Sequence, residues 1–209
     1  MSQYALSLSL PPVFSADNFL VSGCNQEAWQ WIERWPDWPA PLLLHGPAGS
    51  GKSHLGHIWA AKASARLADL TTSPEAGNWL LEDIERATDQ RQLLHWLNYV
   101  REQGGNLLLT ANAPAKQLPF TLPDLTSRLL ALPQAGLDQP DDAVLTAAIA
   151  KQFADRQLKV ETGVIAYLLP RMERSLAQAK LLVETLDAAA LAEGRTVTIP
   201  FVKRTLEGV

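Results

Sequence analysis

Residues Gly46 to Ser53 read GPAGSGKS, and this stretch decides the fold. It fits G-x-x-x-x-G-K-[ST], the phosphate-binding P-loop. Its glycines let backbone N–H groups converge on phosphate oxygens. Lys52 brings a point charge to the outer phosphates, and the Ser53 hydroxyl suits Mg²⁺. PLLLH (Pro41 to His45) precedes the loop as an apolar run with strand character. HLGHIWAAKASA (His54 to Ala65) follows it with apolar residues at helical spacing. Strand, loop and helix in that order are what phosphate binding needs, because the helix N-terminus adds free N–H groups and a positive dipole end. The bland alternative is a plain Gly/Ser turn. The expected binding stretch is Pro47, Ala48, Gly49, Ser50, Gly51, Lys52, Ser53 and His54.

The chain has 209 residues, 47% of them hydrophobic and 19% charged, so a sizeable core is expected rather than disorder. Residues 1–137 carry 9 basic and 12 acidic side chains, and residues 138–209 carry 9 and 10. Neither half is a basic block, which argues against strong independent binding to duplex DNA. A single cysteine, Cys24, excludes an internal disulfide and suits a reducing cytoplasm. The N-terminus lacks a secretory pattern, and no apolar run is long enough to span a membrane.

Residues 1–13 stand apart. ALSLSLPP (Ala5 to Pro12) alternates leucine with small residues and stops at two prolines. It reads as an edge strand or as a short peptide that docks on a partner through Leu6, Leu8 and Leu10. QEAWQWIERW (Gln26 to Trp35) reads as a helix with a heavy aromatic load, more readily a packed cover on the sheet than a recognition surface. ARLADL, WLLEDIE and NLLLTAN are candidate strands. TDQRQLLHWLNYVREQGG (Thr88 to Gly105) is a helix with Thr88 as its expected cap, and LPDLTSRLLAL (Leu122 to Leu132) is a short one. Pro133 to Pro140 marks a boundary, and every convincing segment after Asp141 is helical. The expected organisation is an extended segment 1–13, an αβα core with a parallel sheet over 14–135, and a small all-α lid over 136–209.

A P-loop needs an acidic strand end nearby to hold Mg²⁺ and polarise water. WLLEDIE supplies Glu82 and Asp83; as an alternative, these acids are simply solvated. Glu82 is longer by one methylene than the usual aspartate, which predicts weak intrinsic turnover. NLLLTAN puts Thr110 and Asn112 at a neighbouring strand end, where a polar group can orient water or make an Asx turn into Pro114. Arg128 sits among leucines, as a surface charge or as a finger for a neighbour's nucleotide. The four histidines lack partners at zinc-site spacing.

In order and spacing these pieces resemble the AAA+ module of the bacterial replication initiator DnaA. They are more similar still to the Hda-like regulators of DnaA, above all those of alphaproteobacteria. The carrying stretches are FSADNFLVSGCNQEA, WIERWPDWPAPLLLHGPAGSGKSHLGHIW, LLEDIER, LLLTANAP, LPDLTSRL and TIPFVKRTL. The resemblance implies an AAA+ P-loop NTPase that holds ADP or ATP with Mg²⁺. Lys52 and Ser53 are then the Walker A pair, Glu82 and Asp83 Walker B, Asn112 sensor 1, and Arg128 the arginine finger. Asn18, Phe19, Leu20 and Val21 match the segment beside the adenine. A sensor 2 arginine is due near the start of the third lid helix. The ungapped match is Ala177, which leaves Arg174, about one turn earlier, as the candidate. The family's clamp-binding peptide matches ALSLSL, with Ala5 where glutamine is usual. The implied function is cytoplasmic regulation of replication initiation with two partners, DnaA and the DNA polymerase sliding clamp, in which Arg128 promotes hydrolysis of DnaA-bound ATP. A nucleotide-locked adaptor and a helicase-loader-like ATPase are the alternatives. No DNA-binding or helicase-interaction segment is recognised, as expected of a regulator rather than a complete initiator.

Overall fold

The computed structural model describes residues 16–38 and 41–207. A short 3₁₀ turn (Ala16–Asn18) leads to α1 (Gln26–Arg34). Then come β1 (Leu42–His45), α2 (Lys52–Ala63), β2 (Arg66–Leu67), β3 (Trp79–Leu81), α3 (Gln90–Glu102), β4 (Leu107–Ala111), α4 (Pro123–Leu130) and β5 (Gln134–Gly136). Four helices follow: α5 (Asp142–Asp155), α6 (Val164–Leu168), α7 (Leu176–Glu193) and α8 (Ile199–Glu207). The strands form one parallel sheet in the order β2-β3-β4-β1-β5.

Both faces of the sheet's centre are covered, so β1, β3 and β4 read as apolar runs rather than alternating ones. The side-chain period of two still sorts them. Leu43, Leu81, Leu107, Leu109 and Ala111 join α3 and α4 in one buried cluster. Leu42, Leu44, Leu80 and Leu108 join α1 and α2 in another. Trp29, Trp31 and Trp35 pack against that second cluster and Trp38 lies within it, edge-on to Trp59. The aromatic helix therefore covers the sheet. A third cluster is built mainly from α5 to α8, around Ile149, Leu168, Val183 and Val202, with Val197 between α7 and α8.

Two local details differ from expectation. The side chain of Asp89, not Thr88, caps α3, accepting from the amides of Arg91 and Gln92. The stretch expected as a mere boundary contains β5, which pairs with β1. At the later helix ends, Ser175 precedes α7 and its side chain accepts from the Gln178 amide, Gly194 ends that helix in a left-handed conformation, and Thr198 accepts from Phe201 at the start of α8. No helix among the described residues is long and apolar enough to cross a membrane. Leu6, Leu8 and Leu10 lie outside the described residues.

Candidate nucleotide site

The P-loop leaves the C-terminal end of β1 and enters α2, whose first residue is Lys52. Gly46 is required by crowding: a Cβ there would lie 2.2 Å from the carbonyl oxygen of Leu137, just past β5. The backbone amides of Gly49, Gly51, Lys52 and Ser53 find no acceptor among the described residues. This is what the open end of a helix offers an anion. The Ser50 hydroxyl is buried without a partner. Lys52 is only 6% exposed. Its ammonium donates to Gly46 O at 2.8 Å, Pro47 O at 3.0 Å and Asn112 Oδ1 at 3.0 Å. Burial lowers its pKa, against the opposing pull of Asp83 and Glu85.

The ends of β3 and β4 supply the polar wall. Glu82 lies 3.5 Å from His57 Nε2 through Oε2, while its Oε1 is buried without a partner. Asp83 adopts a left-handed conformation (φ 50°) and donates its backbone N–H to Thr110 Oγ1 at 2.9 Å. Its carboxylate lies 3.4 Å from Arg86. Thr110, fully buried, thus locks the two strand ends together. Asn112 stands between Lys52 and Glu85: Oδ1 accepts from the lysine, and Nδ2 and the backbone N–H donate to Glu85 Oε1.

On the other flank, Phe19 stacks on Trp29 at 5.3 Å and meets His54 edge-on. Leu20 and Val21 are exposed. Asn25, almost wholly buried, holds this segment by donating to Leu20 O and accepting from Ser22 N, each at 2.9 Å. From the lid side, α7 begins against the P-loop: Leu176 N–H donates to Gly49 O at 2.9 Å. Arg174 faces elsewhere, binding Asp142 Oδ1 at 2.8 Å and Pro140 O at 3.2 Å. Ala177 falls within the first turn of α7.

Arg128 belongs to a different place. It lines an open cavity of about 560 Å³ with Pro41, Arg101, Asp124, Ser127 and Pro133. Pro41 immediately precedes β1, and the P-loop follows β1. The cavity therefore lies at the opposite end of the strand from this chain's own phosphate site. The Arg128 side chain has no hydrogen-bond or ion-pair partner among the described residues.

Residues 141–206 match the family model of the Hda lid domain. The whole fold is similar to domain III of the replication initiation protein DnaA from Thermotoga maritima, with a TM-score of 0.82, 18% identity, and 95% of this chain and 98% of that chain covered. The chain has the AAA+ αβα fold, followed by a helical lid that matches the Hda lid domain. It is also similar to AMPPCP-bound DnaA from Aquifex aeolicus (TM-score 0.71, 16% identity, 96% of this chain and 70% of that one). A Thermotoga maritima RuvB variant shares the fold too (TM-score 0.73, 18% identity, 93% and 72% covered). At such identities these structures speak for the fold.

The residues of this site fit an adenine nucleotide: amides without an acceptor among the described residues, an orphaned serine hydroxyl and a lysine lie together in the P-loop. Mg²⁺ fits the orphaned Glu82 oxygen and the Ser53 hydroxyl at the start of α2, since it is commonly held by one or two carboxylates plus phosphates and water. Among the described residues no three His, Cys, Asp or Glu side chains cluster into a separate metal site. Sequence reading missed Glu85, Asn25, Ser175 and Leu176. Only Glu85 carried a signal, as the third acid in LLEDIER.

Proposed function

We propose that this chain is a nucleotide-holding regulator of replication initiation that acts on the ATP of a bound DnaA. The P-loop, Lys52, Ser53, Glu82, Asp83 and Asn112 hold its own adenine nucleotide and set its conformation. Phe19 and its neighbours Asn18, Leu20 and Val21 flank the base. Arg128 serves the partner's nucleotide, and Leu6, Leu8 and Leu10 tether the chain to the sliding clamp. One observation carries this reading: Arg128 has no hydrogen-bond or ion-pair partner among the described residues and lies at the end of β1 remote from the chain's own P-loop. A guanidinium so placed is available to a neighbouring molecule, where it can stabilise charge on a transferring phosphoryl group.

The test is hydrolysis of DnaA-bound ATP in the presence of clamp loaded on DNA. Adding the protein accelerates hydrolysis, and Arg128→Ala returns the rate to that of DnaA alone. No acceleration, or equal acceleration by the variant, overturns the proposal. Clamp capture lost on Leu8→Ala supports the tether, and unchanged capture removes it.

The closed P-loop favours a second reading, a nucleotide-locked adaptor that recruits DnaA and hydrolyses almost nothing. All three Lys52 bonds are internal, and α7 sits on the Gly49 carbonyl. Measurable intrinsic turnover that disappears in Lys52→Ala eliminates this version.

A further inference from the structure

We infer that Glu85 is a positioning residue that fixes which end of the Asn112 amide faces the phosphate site, and that it thereby selects against a nucleoside triphosphate. The inference rests on the P-loop's binding of an adenine nucleotide.

A carboxamide has an accepting oxygen and a donating nitrogen. The orientation of Asn112 is dictated by its neighbours' chemistry. Lys52 can only donate, so it takes Oδ1, at 3.0 Å. The Glu85 carboxylate accepts Nδ2, and the same oxygen takes the backbone N–H of Asn112 at 3.2 Å. Turning the amide over would set oxygen against the Glu85 carboxylate and N–H groups against the lysine ammonium. Both contacts would become repulsive.

The consequence falls on the third phosphate. A γ-phosphate brought to Lys52 carries only acceptors and needs donors around it. Asn112 turns its oxygen toward Lys52, where that phosphate would sit, because one of its two Nδ2 hydrogens is held by Glu85. A triphosphate must therefore break the Glu85–Asn112 pair or face that oxygen directly. A diphosphate makes no such demand, since Lys52 can serve its outer phosphate while the Asn112–Glu85 pair stays intact. Glu85 lies on the 3₁₀ turn Ile84–Arg86, just past the left-handed Asp83, and that bend brings it to the end of β4.

Calorimetric titration of the full chain with ADP and with AMPPCP tests this. Wild type binds ADP more tightly than AMPPCP. Glu85→Ala frees the amide to rotate and raises AMPPCP affinity relative to ADP by about tenfold, the scale of one charge-assisted hydrogen bond. Glu85→Gln keeps an accepting oxygen for Nδ2 and moves the ratio by less than about threefold. Asn112→Ala relaxes the ratio too, and joining it to Glu85→Ala adds nothing further. A retained ADP affinity shows that each variant is folded; if Glu85→Ala fails this check, Asn112→Ala carries the test. The inference is overturned if wild type binds AMPPCP at least as tightly as ADP. It is also overturned if Glu85→Ala leaves the ratio unmoved, or if Glu85→Gln shifts it as far as alanine does, which would make charge rather than orientation the cause. Wild type that binds neither nucleotide overturns the P-loop reading, and the inference with it.

Discussion

The backbone N–H of Leu176, the first residue of α7, donates to the carbonyl of Gly49 in the P-loop at 2.9 Å. The lid thus rests on the phosphate loop by a main-chain contact that no side-chain pattern announces. Its close approach depends on the missing side chain at Gly49. A Cβ there would lie 2.0 Å from Ser175 Oγ, and φ is 74°. Gly49→Ala should cost about 1–3 kcal/mol in strain and lift α7 off the loop. Hydrogen exchange checks this: the Leu176 amide loses protection while amides in the sheet keep theirs. Unchanged protection would mean that the contact is not maintained in solution.

Arg174 is spent on the link between lid and core. Its partners are Asp142 and the Pro140 carbonyl, and both its charge and that of Asp142 are partly exposed. An ion pair in such a setting contributes less than about 1 kcal/mol. Arg174→Ala is therefore expected to leave both thermal stability and ADP affinity nearly unchanged. A loss of ADP affinity of about tenfold or more would instead assign the residue to the phosphates, the role that the family resemblance implies.

His45, at the end of β1, gives the fold an acid sensitivity. Burial lowers its pKa below 6.5, outweighing the upward pull of Glu27 and Asp138, while Lys52 lowers it further. Between the folded value and 6.5 the unfolded chain binds more protons at this residue than the folded one. Stability must then fall as pH drops through that window. Urea unfolding at pH 6.5 and about one unit to either side measures the slope, since one unit of pKa shift is worth about 1.4 kcal/mol. His45→Gln should flatten the acid side. An equal slope in the variant would place the sensitivity on other groups.

The phosphate loop, its flanking strand and helix, and the acidic and polar strand ends were legible because their chemistry is local. The spacing of GPAGSGKS carries its meaning within eight residues, and the apolar runs carry the buried strands. What escaped was long-range. β5 is three residues with glutamine and glycine at its ends, and it exists only because β1 offers partners: Leu43 N–H donates to Pro133 O and Leu137 N–H to His45 O. In the sequence Glu85 is only a third acid after Glu82 and Asp83. The left-handed turn at Asp83 decides that Glu85, not Asp83, meets Asn112.

The α3 cap shows the same limit on a smaller scale. Thr88 and Asp89 are both capping types, so sequence offers two starts one residue apart. Asp89 Oδ1 takes the amides of Arg91 at 2.9 Å and Gln92 at 3.1 Å. Asp89→Ala should destabilise the protein by about 1 kcal/mol, and Thr88→Ala by much less. Paired chemical denaturation curves decide it, and equal losses would move the cap back to Thr88.

Glu82 carries the remaining question of chemistry. One of its oxygens faces His57 and the other is buried with no partner. An orphaned carboxylate oxygen costs free energy unless something cationic meets it when the site is loaded. A bound Mg²⁺ would meet that need, and the Ser53 hydroxyl would be a further candidate to hold it. Chelating Mg²⁺ should therefore weaken AMPPCP binding to wild type. Glu82→Gln, which keeps the size and loses the charge, should bind AMPPCP weakly and equally with Mg²⁺ or with chelator. Glu82→Asp should recover part of the dependence, because a carboxylate one methylene shorter can still reach the ion through water. If Glu82→Gln remains as Mg²⁺-dependent as wild type, Glu82 is no ligand, and its part in the site is to hold His57 on α2.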